Sequence, residues 1–168
     1  MKKFNLIESN NAGFTLIEMV VVIIILAVLA IIAAPKFLNL KTDASIASLN
    51  SLEAAIKSAN SIVYSKLAIE GKEKLSSSSI ELNGETITTS FGFISPTADN
   101  IENAIEGSFE QVNNLNAEIT ADWGTFEIAG ILVLLFPKGY TFTDTCYFFY
   151  LAFPGATEPS FFANQTGC

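Results

Sequence analysis

No histidine and no arginine occur in the 168 residues of this chain. Without imidazole, the usual zinc and copper ligand sets and most general-base chemistry are missing. Without guanidinium, and with a formal net charge of −8, the surface repels phosphate backbones, so no nucleic acid is expected as a partner of the single chain. The imbalance lies in the part after residue 35, where 7 lysines stand against 15 aspartates and glutamates. Catalytic motifs are missing as well. There is no GxSxG, no glycine loop to cradle a phosphate, no Cys–His or Ser–His pairing and no calcium-loop spacing. The reading is therefore of a chain that is no enzyme and holds no metal or cofactor. Glu102, Glu106 and Glu110 recur every four residues and read as the solvated face of a helix.

Cysteine is scarce too: Cys146 and Cys168 are the whole supply. In an exported domain such a pair reads as one disulfide, since oxidising compartments retain the bond. Closing the loop between them would stabilise the fold by roughly 3 to 4 kcal/mol in the chain-entropy model. Two unpaired buried thiols are the alternative.

What the chain has in abundance is apolar residues, which make up 50% of it. They are distributed unevenly. Residues 1–13, "MKKFNLIESNNAG", are polar and read as a processed leader. Residues 14–34 follow, with Thr15 and Glu18 as their only polar members. At 1.5 Å per residue they span about 31 Å as a helix, one hydrocarbon core. Glu18 is the anomaly in this run, because an ionised carboxylate near the membrane interior costs on the order of 2.5 to 3.5 kcal/mol. Lysines flank the run on both sides (Lys2 and Lys3, then Lys36 and Lys41), so charge alone does not orient it.

Pro35 ends the apolar run, yet helical periodicity resumes at once. Leu49, Leu52, Ile56, Ala59 and Val63 recur at three- and four-residue steps, with Lys41, Asn50, Lys57 and Asn60 off that stripe. Residues 35–68 are thus expected to continue the helix as an amphipathic half, kinked or loosened near Pro35. Residues 69–168 read as a β-rich globular domain. Asn83–Gly84 between strand-like flanks signals a hairpin. "TADNIENAIEGSFEQV" predicts a short helix started by Asp99 and Glu102, with Ile101, Ile105, Phe109 and Val112 on one face. Residues 125–136 and 144–153 predict two long antiparallel strands joined by a turn around Pro137 and Gly139. "CYFFY" must point aromatic side chains to both faces of its strand, which calls for cover by helix, loop or another subunit. The fold class expected is α+β, a long N-terminal helix packed on a small antiparallel sheet.

At "GFTLIE" the chain resembles the type IV pilins and the related type II secretion pseudopilins. Gly13, Phe14, Thr15, Leu16, Ile17 and Glu18 carry the likeness, together with the leader before them, the apolar run after them and Pro35. The resemblance implies a ladle-like pilin fold and cleavage between Gly13 and Phe14 by a prepilin peptidase, which also methylates the new amine of Phe14. It implies a single-pass inner-membrane precursor with a cytoplasmic N-terminus, then a helical filament of identical subunits built by the pilus assembly machinery on the outside of a Gram-negative bacterium. In such a filament Glu18 would meet the Phe14 amine of a neighbour, with Phe14, Glu18 and Pro35 as assembly residues, and Cys146 and Cys168 would bound the C-terminal loop. A buried carboxylate is costly alone and tolerated when paired, so the pair would set register. Within the pilins, "CYFFY" and "FGFISPTADNIENA" are similar to segments of the mannose-sensitive haemagglutinin pilins. The implied role is surface adhesion, with motility left open; a secretion pseudopilin is the alternative.

Overall fold

The computed structural model describes residues 13–153 and 155–168, the side chains of 37–39 excepted. The expected leader, residues 1–13, therefore lies outside the described residues except for Gly13. The chain divides into two compact units, residues 1–41 and 42–168.

Helix α1, Leu16–Glu70, is one uninterrupted element with Pro35 inside it. The expected break at Pro35 does not end the helix. A proline costs one backbone hydrogen bond and a clash one turn earlier, and the apolar residues on either side carry the helix past it. In the first unit the apolar side chains of α1 are exposed from Phe14 through Ile32. By length and composition this helix can cross a membrane.

In the second unit the stripe Leu49, Leu52, Ile56, Ala59, Val63 and Leu67 is buried. It packs against two sheets and a short helix. The three-stranded sheet has the order β1 (Ser78–Leu82), β2 (Glu85–Ser90), β3 (Phe93–Ile94). Its first hairpin turns at Asn83–Gly84, where φ is 54° and 88°. Both residues are left-handed, as a two-residue hairpin turn matched to strand twist requires. Ile80, Leu82, Ile87 and Ile94 of this sheet join the helix stripe in one core.

The five-stranded sheet has the order β4 (Phe109–Gln111), β5 (Trp123–Ile128), β6 (Leu132–Pro137), β7 (Tyr147–Leu151), β8 (Ser160–Asn164). Val133, Leu135, Phe148 and Tyr150 face α1 and complete the core. Leu134 and Phe136 face the other way, under a loop that brings Ile119 onto them.

Four expectations require correction. The expected strand 125–136 is two strands, reversed at Ala129–Gly130 with φ of 52° and 64°. The helix expected through Val112 is α2, Ala98–Ala104, capped by the Thr97 hydroxyl, which accepts from the Asn100 amide. Phe109 lies on β4, which pairs with β5 in parallel, so the sheet is antiparallel everywhere except at that edge. Gly107 separates the two elements, and strand pairing prevails over the local helical pattern. Lastly, Asn60 is buried, with 3% exposure. Its Oδ1 accepts from the Ile94 amide at 3.0 Å, and its Nδ2 donates to the Ile56 carbonyl at 3.0 Å. The Tyr150 hydroxyl lies 3.1 Å from Asn60 Oδ1 and donates to the Ile94 carbonyl at 2.6 Å. A polar side chain is tolerated there because α1, β3 and β7 satisfy one another through it. Burial also pushes the Tyr150 hydroxyl well above the usual tyrosine range.

Cys146 and Cys168 form a disulfide, Cα to Cα 4.8 Å. The Tyr140 hydroxyl holds the same end of the chain, donating to the Cys168 carbonyl at 2.8 Å. β8, which carries the tail back to the sheet, was not foreseen among the turn-formers that precede it.

Candidate processing and assembly site

Gly13, Phe14 and Thr15 precede the first helical residue and belong to no regular element. All three are exposed, Phe14 by 82%. The peptide bond between Gly13 and Phe14 is thus extended from the helix and open to approach. No atom comes within 4 Å of the place where a Gly13 side chain would begin.

Helix α1 starts with a reciprocal cap. The Thr15 hydroxyl accepts from the Glu18 amide at 3.3 Å, while one oxygen of the Glu18 carboxylate accepts from the Thr15 amide and hydroxyl, each at 2.8 Å. Thr-x-x-Glu is the capping-box pattern, and it satisfies two of the amide donors that every helix start leaves unpaired. The carboxylate also sits in the first turn, where the helix dipole favours a negative charge. The signal was present in "TLIE", but within an apolar run Glu18 had been weighed only as a membrane penalty. Both Thr15 donors are neutral, so the cap supplies hydrogen bonds and leaves the charge of Glu18 intact.

Of the other expected site residues, Pro35 stands exposed within α1, about five turns beyond Glu18. Cys146 and Cys168 are joined in the second unit. Among the described residues no group of histidine, cysteine, aspartate and glutamate is placed to hold a metal ion.

Residues 9–34 match the family described as Prokaryotic N-terminal methylation motif. The chain carries the signal of a type IV pilin-like protein. The motif implies processing by a prepilin peptidase and assembly into a pilus or pseudopilus, and its family is structural. Together with the apolar start of α1 it fits a membrane-anchored precursor. No curated protein and no solved structure matches the chain.

Proposed function

We propose that this type IV pilin-like chain is a structural subunit of a type IV pilus, cut between Gly13 and Phe14 and methylated on the new amine of Phe14. The observation that carries the reading is the methylation motif over residues 9–34 running directly into an exposed apolar helix. Residues 1–13 are removed as the leader. Residues 14–34 hold the precursor in the inner membrane with its N-terminus in the cytoplasm, and the same helices bundle in the filament. There the Phe14 amine of one subunit neutralises Glu18 of another, which the neutral Thr15 donors leave charged. Pro35 marks the end of the bundled segment. The disulfide between Cys146 and Cys168 supports the pilus over the secretion pseudopilus, because in the resembling families it is the pilins that bound their C-terminal region this way. On "CYFFY" and "FGFISPTADNIENA" we place the chain nearest the mannose-sensitive haemagglutinin pilins of Gram-negative bacteria, with adhesion as its role.

Two experiments test this. N-terminal sequencing of fibres sheared from cells is expected to begin at methylated Phe14; a start at Pro35 or Lys36 overturns the processing reading. Glu18→Ala and Glu18→Gln are expected to insert normally and to form no filaments. Glutamine keeps hydrogen-bond capacity for Thr15 and lacks the charge, so normal filaments from Glu18→Gln would refute charge pairing in particular.

A further inference from the structure

The five-stranded sheet has two faces with different fates. Odd-facing positions such as Val133, Leu135, Phe148 and Tyr150 are sealed against α1. On the opposite face the register sets Phe126, Leu134, Phe149 and Phe162 side by side in one row across β5 to β8, with Ile128, Leu132, Leu151 and Ser160 in the next. The loop carrying Ile119 covers Leu134 and Phe136. It leaves Phe126, Ile128, Leu132, Phe149, Leu151 and Phe162 partly or largely open, with Ile128 48% exposed and Phe162 58%. The Phe149 and Phe162 rings stack with centroids 6.0 Å apart. A contiguous apolar face of this kind marks a contact surface. No charged residue occupies an outward position on β5 to β8, although the chain carries 17 acidic and 9 basic side chains.

We propose that this outer face binds the same face of a second copy of the chain about a two-fold axis. Two features select this occupant. A surface that meets itself must be self-complementary, which an uncharged apolar face is and which an acidic surface is not. Its extent points the same way. Six side chains, none fully open, fall short of the roughly 800 Å² per partner that a stable pair of proteins buries. A single contact is therefore weak, and it gains strength where copies are held in an array. That clause rests on the filament reading above. Symmetry then fixes what the contact does. Helical filaments are built from head-to-tail contacts, whereas a two-fold contact closes on itself, so this face joins one filament to another.

The test uses the full-length chain in cells. Ser160, small and exposed, lies in the second row of the face and takes cysteine without loss of packing; Ser79, exposed on β1, is the control. Under mild oxidation Ser160→Cys is expected to give a dimer band that disappears on reduction, and Ser79→Cys none. Adding Phe162→Lys to Ser160→Cys brings like charges together and is expected to abolish the band. A Ser160→Cys chain that stays monomeric, a cross-link to a protein of another mass, or a band that survives Phe162→Lys overturns the proposal. Electron microscopy of the same cells separates the two readings. Fibres without the cross-link refute this contact and leave the pilus standing, whereas the cross-link without fibres does the reverse.

Discussion

The buried amide of Asn60 offers the sharpest test of how the second unit is held together. Removing it as Asn60→Ala leaves the Ile94 amide, on a residue only 1% exposed, without its acceptor. An orphaned buried donor costs about 1 to 3 kcal/mol, and the cavity left by the side chain adds to this, so a loss of about 2 to 4 kcal/mol is expected. Asn60→Leu separates the two contributions, because it restores volume and still leaves the Ile94 amide unpaired. It should cost nearly as much as alanine. Tyr150→Phe removes the donor to the Ile94 carbonyl at a cost of about 1 to 2 kcal/mol. Since both side chains act on the two ends of one residue, the double mutant should be non-additive by more than about 0.5 kcal/mol. Urea unfolding of the full chain in detergent micelles, followed by the fluorescence of the single tryptophan, Trp123, measures all four. A cost under about 0.5 kcal/mol for Asn60→Leu, or strict additivity with Tyr150→Phe, would refute the claim that this network ties helix to sheet.

Three further outcomes follow from the second unit. Cys146→Ser opens the 146–168 loop and should lower stability by about 3.4 kcal/mol on the chain-entropy relation for 23 residues, measured by the same urea transition without reductant. Gly167→Ala should detach the C-terminal turn, because a side chain there would start 1.6 Å from the Asp144 carbonyl oxygen; slower disulfide formation in refolding, read by thiol labelling, checks it. Glu110, whose carboxylate accepts from the Thr120 amide and hydroxyl and the Ala121 amide, is held below the usual glutamate range by those bonds. Its folded pKa is depressed, so its contribution is present above the unfolded value and is lost as pH falls through the folded one. Acidification below about pH 4 should loosen the loop that carries Ile119, seen as a shift in Trp123 emission, and Glu110→Gln should remove that pH dependence.

The helix stripe was legible because its partners are on the same helix: Leu49, Leu52, Ile56, Ala59 and Val63 repeat at the helical period whatever they pack against. Asn60 was illegible for the converse reason, since its burial depends on residues 34 and 90 positions away. Asn83–Gly84 announced its hairpin through residue types that tolerate positive φ. Ala129–Gly130 did not, because alanine rarely adopts that region and the flanking run is continuously apolar. Phe109 fits the α2 periodicity and is nonetheless a strand residue, since pairing with Trp123 is a tertiary fact. Of the candidate site, Gly13, Phe14 and Glu18 could be read directly, while the cap between Thr15 and Glu18 needed the pattern to be read as a helix start.

That cap alters what Glu18 demands of its surroundings. A carboxylate in an apolar setting lacks hydrogen-bond donors and lacks a counter-charge, and these are separate deficits. Thr15 supplies the donors from within the same subunit. What remains unmet before assembly is only the charge, and a charge is met by any cation that arrives at the right axial height. A neighbour offset by the wrong amount would leave Glu18 hydrogen-bonded but unneutralised. Discrimination between registers therefore rests on the electrostatic part alone, while insertion of the single subunit is eased by the local one. The two requirements, entering the membrane and leaving it in order, thus fall on different atoms of the same four residues.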